Sequence, residues 1–141
     1  GTCIEHRHPV FRDFPTSYYA DWQWWDILNY ATAVDLTDIR ALTPVIQSVD
    51  SYEFNRKLGV SFEACVGSGK LFVLAVDPVK DIEKRPAMQQ LLMSVRNYVA
   101  SDRFAPTVTL QPYELDALFD YDKIRKAETR SSEAVKQLLN Q

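Results

Sequence analysis

The sequence predicts an α/β or α+β domain built on a mixed β-sheet, and three observations carry that reading. Leu58, Val60, Phe62, Ala64 and Val66 alternate with Gly59, Ser61, Glu63 and Cys65, the period of two expected of a strand with one buried face. Gly67-Ser68-Gly69 and Lys70 then lead into Leu71-Phe72-Val73-Leu74-Ala75-Val76, which reads as the second strand of a hairpin with a three-residue loop. Met88, Leu91, Leu92, Val95, Tyr98 and Val99 recur at helical spacing, an amphipathic stripe suited to packing on a sheet.

The remaining elements follow in chain order. His8-Pro9 and Phe14-Pro15 bias residues 1–16 toward extended backbone and an ordered loop. From about Ser17 to Tyr30 the pattern turns helical, with Tyr18, Trp22, Trp25 and Leu28 on one face and Thr16 or Ser17 as the cap. Residues 31–36 and 43–49 read as two short strands. The run Leu71–Val76 is apolar on both faces, so it is expected at the centre of the sheet. Asp77-Pro78 ends it, and Pro86 opens the helix to about Ala100, because proline's missing N–H has no intrahelical partner in a first turn. Thr107 to Leu110, between Pro106 and Pro112, suits an edge strand. From Glu114 to Gln141 the chain is charged and helical in pattern, which sets the expected division at residues 1–112 and 113–141.

Composition narrows the class. The 141 residues are 46% apolar and 25% charged, values of a folded chain long enough to bury a core without staples. Sixteen Lys and Arg against nineteen Asp and Glu leave a formal charge of −3, which gives no footprint for nucleic acid or an anionic membrane. No apolar run approaches the roughly 20 residues needed to span a bilayer. The chain begins Gly1-Thr2-Cys3-Ile4, without the features of a signal peptide, and reads as a processed or excised piece. Cys3 and Cys65 stand in no CxxC pair, which argues against a zinc site or a disulfide framework. Cys65 reads as a buried, inert thiol.

Several motifs invite chemistry. Gly67-Ser68-Gly69-Lys70 lacks both the earlier glycine and the following hydroxyl of a phosphate loop, with Ala64 and Leu71 in those places, and it leads into a strand rather than a helix. His6 and His8 have no second cluster of ligand spacing, so metal binding is not expected. No serine sits in a Gly-x-Ser-x-Gly elbow, and no carboxylate pair of glycosidase type stands out beside the aromatic residues. The unusual feature is aromatic density, with all three tryptophans in Asp21-Trp22-Gln23-Trp24-Trp25-Asp26. Indole faces stack on the apolar faces of sugars, which makes Trp22, Trp24 and Trp25 candidate carbohydrate-binding residues. The favoured reading buries Trp22 and Trp25 as core, since they share a helix face, and leaves Trp24 for exposure or an interdomain contact.

The string His8-Pro9 … Phe14-Pro15-Thr16-Ser17-Tyr18-Tyr19 … Asp21-Trp22-Gln23-Trp24-Trp25-Asp26 resembles the C-terminal region of Bacteroides-type glycoside hydrolases of family 2, the beta-galactosidase-like enzymes. Pro44 to Asp50, Asn55 to Gly59, Phe62 to Leu71, Arg85 to Leu92 and Ser101 to Pro106 extend the likeness in order over about residues 6–106. The resemblance implies an accessory region, similar to the second half of a class I glutamine amidotransferase-like or flavodoxin-like domain. The sugar-cleaving carboxylates would then lie in an upstream barrel. It also implies a periplasmic or secreted parent, with the other domains of that glycosidase as partners, and oligosaccharide as a further one. No catalytic, cofactor or metal residues are expected in this chain. The alternative is a free-standing carbohydrate-binding module using Trp22, Trp24 and Trp25.

Overall fold

A computed structural model describes residues 1–119 and shows an α+β fold on a mixed sheet. The chain divides into two compact units, residues 1–110 and 111–141. In the first unit the strands are β1 (Thr2–Ile4), β2 (Val34–Asp35), β3 (Ile46–Val49), β4 (Lys57–Val66), β5 (Gly69–Leu74) and β6 (Thr109–Leu110). The helices are the single turn α1 (Trp25–Leu28) and the long α2 (Pro86–Val99), joined by 3₁₀ turns at Pro9–Phe11, Trp22–Trp24 and Ile82–Lys84.

The ten-residue β4 is the spine of the sheet. It runs antiparallel to β2, β3 and β5 and parallel to β6, while β1 extends the sheet antiparallel from β3. A bulge against Ile46 and Gln47 reorients β4 near Val60. Beyond it, Glu63 meets α2 through Tyr98, so the alternation of a strand sends Phe62 and Ala64 to the opposite face, where both are fully buried. Gly59 permits a close approach on that side: a Cβ there would stand 2.6 Å from Leu36 Cδ1. On the other face α2 buries Met88, Leu91 and Tyr98 among Ile4, Val10, Phe11, Phe14, Trp24, Ile27 and Phe104. Ser94, also buried, donates its hydroxyl to the Val10 carbonyl and so ties α2 to the N-terminal loop.

Two elements differ in detail from expectation. The hairpin closes with a two-residue loop, Gly67-Ser68, since Val66 pairs directly with Gly69. Gly67 has φ +57° at the first central position, where a type II′ turn requires glycine. The apolar β5 is not central: among the described residues its only strand partner is β4, because β2 and the segment at Ala31 pair on the β4 side of the chain's continuation past Leu74.

A larger departure lies at residues 17–30, where no continuous helix forms. The Ile4 N–H donates to the Tyr18 carbonyl at 2.9 Å and Tyr19 bridges to Cys3, which holds this stretch extended along β1. Asp21 then starts a new turn by accepting the Gln23 N–H at 3.2 Å.

Arg85, just ahead of α2, is buried, and among the described residues no carboxylate lies within hydrogen-bond reach of it. Its Nη1 donates to the carbonyls of Asp77 (2.8 Å) and Lys80 (3.1 Å), and its Nη2 to that of Asp26 (2.9 Å). The guanidinium also lies over the Tyr30 ring, 4.5 Å from its centroid. One side chain thus fastens α1 and the segment that follows β5 to the start of α2.

The second unit opens with α3 (Pro112–Leu118). Gln111 and Glu114 form a reciprocal capping box, and Pro112 occupies the first turn. The rest of the expected charged helical tail, residues 120–141, lies outside the described residues.

Candidate aromatic recognition surface

The tryptophan segment sorts its three indoles in the opposite sense from the sequence expectation. Trp24 is 0% exposed, whereas Trp22 is 89% and Trp25 67% exposed. The cause is the 3₁₀ turn. Trp25 N–H bonds the Trp22 carbonyl, and with three residues per turn positions i and i+3 eclipse one another, so Trp22 and Trp25 share a side. The buried side belongs to Trp24, whose ring is met edge-on by Phe11 and Phe14 at centroid distances of 6.0 and 5.2 Å. Its Nε1–H donates to Thr16 Oγ1 at 2.8 Å, which satisfies the indole's one polar group. Gln23 adds a tether, donating from Nε2 to the Pro15 carbonyl at 3.0 Å.

Two sequence expectations are therefore corrected. Trp22 and Trp25 do share a face, but it is turned to solvent. Trp24, expected to be the exposed indole, is an anchor in the core and cannot contact a sugar. The same stretch also exposes Tyr18 and Tyr19, whose rings pack edge to face at 5.1 Å, with His6 against Tyr18 at 6.4 Å. Asp21 and Asn29 are exposed close by in sequence. Such a segment offers flat apolar ring faces beside carboxylate and amide groups able to bond hydroxyls.

A second cluster sits where β4 meets α2. Tyr98 donates its hydroxyl to Glu63 Oε2 at 2.8 Å, and His8 Nε2 lies 3.5 Å from Glu63 Oε1. His8 Nδ1 accepts the Val10 N–H at 3.3 Å and so caps the first 3₁₀ turn. No sequence spacing brings residues 8, 63 and 98 together, so the tie was invisible before folding. Burial, followed by the bond to the Glu63 carboxylate, pushes the Tyr98 hydroxyl well above the ordinary tyrosine range. A pKa raised by folding adds stability that is complete below the unfolded value near 10 and fades as pH climbs toward the folded value. Melting midpoints should therefore fall faster above about pH 10 in the unsubstituted chain than in Tyr98→Phe. The same variant should lose about 1.5–3 kcal/mol at neutral pH, the worth of a bond to a charged acceptor. Parallel pH profiles for the two proteins would show that this hydroxyl does not contribute.

Cys65 is half-buried in β4 with its Sγ 3.2 Å from the Pro106 carbonyl, and Cys3 and Cys65 are both free. Among the described residues no group of three or more His, Cys, Asp and Glu is placed to hold a metal ion.

Fold and surface together define an α+β domain that presents aromatic side chains from a segment anchored to its core. The chain belongs to the family described as a domain of unknown function (DUF8487), whose pattern matches residues 1–120. No curated protein matches it.

Proposed function

We propose that this chain is a non-catalytic accessory domain of a carbohydrate-degrading enzyme of the glycoside hydrolase family 2 type, and that the surface carrying Trp22 and Trp25 recognises oligosaccharide. The observation that carries the reading is the exposure of these two indoles on one side of a turn whose third indole is locked in the core. Leaving two tryptophans in water forgoes the burial that usually holds them, roughly 25 cal/mol per Å² of apolar surface. A ligand with apolar ring faces recovers part of that area. The sequence resemblance to the accessory region of beta-galactosidase-like enzymes supports sugar as that ligand.

Tryptophan fluorescence tests the proposal. Titrating galactose, cellobiose and plant oligosaccharides should shift the emission and saturate at millimolar concentration or below for at least one of them. Trp22→Ala and Trp25→Ala should each remove the response while leaving the melting midpoint within the range of ordinary surface changes, about 0.5 kcal/mol. Emission that stays unchanged across the sugar panel would refute the sugar-binding reading. The surface would then be assigned to docking against another domain of the parent enzyme.

A further inference from the structure

We infer that Trp22 and Trp25 read two consecutive units of an extended, neutral β-1,4-linked chain of the glucan or xylan type, whose ring substituents are all equatorial. The inference rests on the sugar-recognition reading above and narrows it to one class of ligand. The Trp25 N–H bonds the Trp22 carbonyl, so the two residues stand one 3₁₀ turn apart on the same side. Three residues at the rise of this helix advance roughly 6 Å, close to the length of one pyranose unit in an extended chain. Among the described residues neither exposed indole packs against another aromatic ring, whereas Trp24 meets two. Each leaves its ring free for a separate sugar.

The backbone that carries these rings is fixed before any ligand arrives. Asp21 caps the turn, Gln23 holds the Pro15 carbonyl, and Trp24 is locked among Phe11, Phe14 and Thr16. Two platforms held at a set spacing let the second stack form without a further loss of overall motion. A single sugar gains one stack, and a chain gains two.

Stereochemistry selects the chain. A flat stack on an indole needs a ring face made of C–H bonds. An all-equatorial pyranose has such a face above and below, so neighbouring units present one to the same side although each is turned over relative to the last. An axial hydroxyl makes one face polar, and a linkage through an axial oxygen bends the chain. A β-1,4-galactan can therefore lay one unit on this surface but not two in a row.

Charge narrows the class further. Residues 13–39 contain five aspartates and no Lys, Arg or His, and Asp21 and Asp26 are the sequence neighbours of Trp22 and Trp25. Lys80 and Arg85 lie over the Tyr30 ring, and His6 packs on Tyr18 rather than on either indole. A uronate chain would bring carboxylates against carboxylates, whereas a neutral chain meets no repulsion.

Titration of the full chain with glucose, cellotriose, β-1,4-galactotriose and trigalacturonate tests the inference, followed by NMR at the three indole N–H groups. Cellotriose should shift the Trp22 and Trp25 signals together, with buried Trp24 as the internal reference. It should bind about tenfold or more tightly than each of the other three. Trp22→Ala and Trp25→Ala should each bring cellotriose down to the level of glucose or below, with melting midpoints unchanged. Glucose, galactotriose or trigalacturonate binding as tightly as cellotriose overturns the inference and leaves sugar recognition standing. So does cellotriose that shifts one of the two exposed indoles alone. A panel in which no sugar moves either signal overturns both readings.

Discussion

Trp24→Ala should destabilise the first unit by roughly 3–5 kcal/mol, the cost of emptying a fully buried aromatic site that the surroundings refill only in part. The indole is sealed by Phe11 and Phe14, packs in the cluster that includes Val10, Ile27 and Met88, and donates its only N–H to Thr16. Truncation removes two edge-to-face contacts and one hydrogen bond along with the buried area. For a unit of this size the melting midpoint should drop by roughly 10–20 °C, read by circular dichroism. Trp24→Phe should fall between the two, because it keeps ring area but not the donor. The informative contrast is with the neighbours: Trp22→Ala and Trp25→Ala should be nearly silent in the same assay. A Trp24→Ala protein that melts with the unsubstituted chain would mean the segment is anchored some other way.

The second large effect is expected at Phe62, on the opposite face of the sheet. Phe62→Ala should cost roughly 3–5 kcal/mol. Its ring lies in the layer formed with Ala64 and Leu36, over a backbone that only glycine at position 59 lets approach so closely. Phe62→Leu should recover much of the loss, since most of the volume is restored. Urea midpoints with an unchanged slope would identify a pure loss of packing. Because side chains alternate, the substitution also tests the register of β4: a silent Phe62→Ala would require the strand to be slipped by one residue.

The aromatic segment shows how far sequence reasoning reaches. Spacing correctly put Trp22 and Trp25 on one side of the chain. It misjudged which side was wet, because the period of apolar residues reports a shared face and not what that face meets. Aromatic residues make the error easy, since a large ring can serve as core or as binding surface with the same local pattern. The deciding contacts came from Phe11, Phe14 and Thr16, which no periodicity within residues 17–30 contains. A similar limit explains β5. Two apolar faces predicted a central strand, and pairing among the described residues leaves it with β4 as its one strand partner.

By itself the sequence determined the α+β class, the β4–β5 hairpin and the helix at Pro86–Val99, because each is written in local chemistry. Alternation sets a strand, glycine sets a tight turn, and proline followed by an apolar stripe sets a helix start and its buried side. Only the tertiary structure decided the rest. It turned Trp24 inward and Trp22 and Trp25 outward. It gathered His8, Glu63 and Tyr98 from three distant elements, and it set Arg85 on the carbonyls of Asp26, Asp77 and Lys80. The physical reason is common to all three. Local propensity depends on neighbours in sequence, whereas the burial of a ring and the partners of a buried polar group depend on which distant segments the sheet brings beside it.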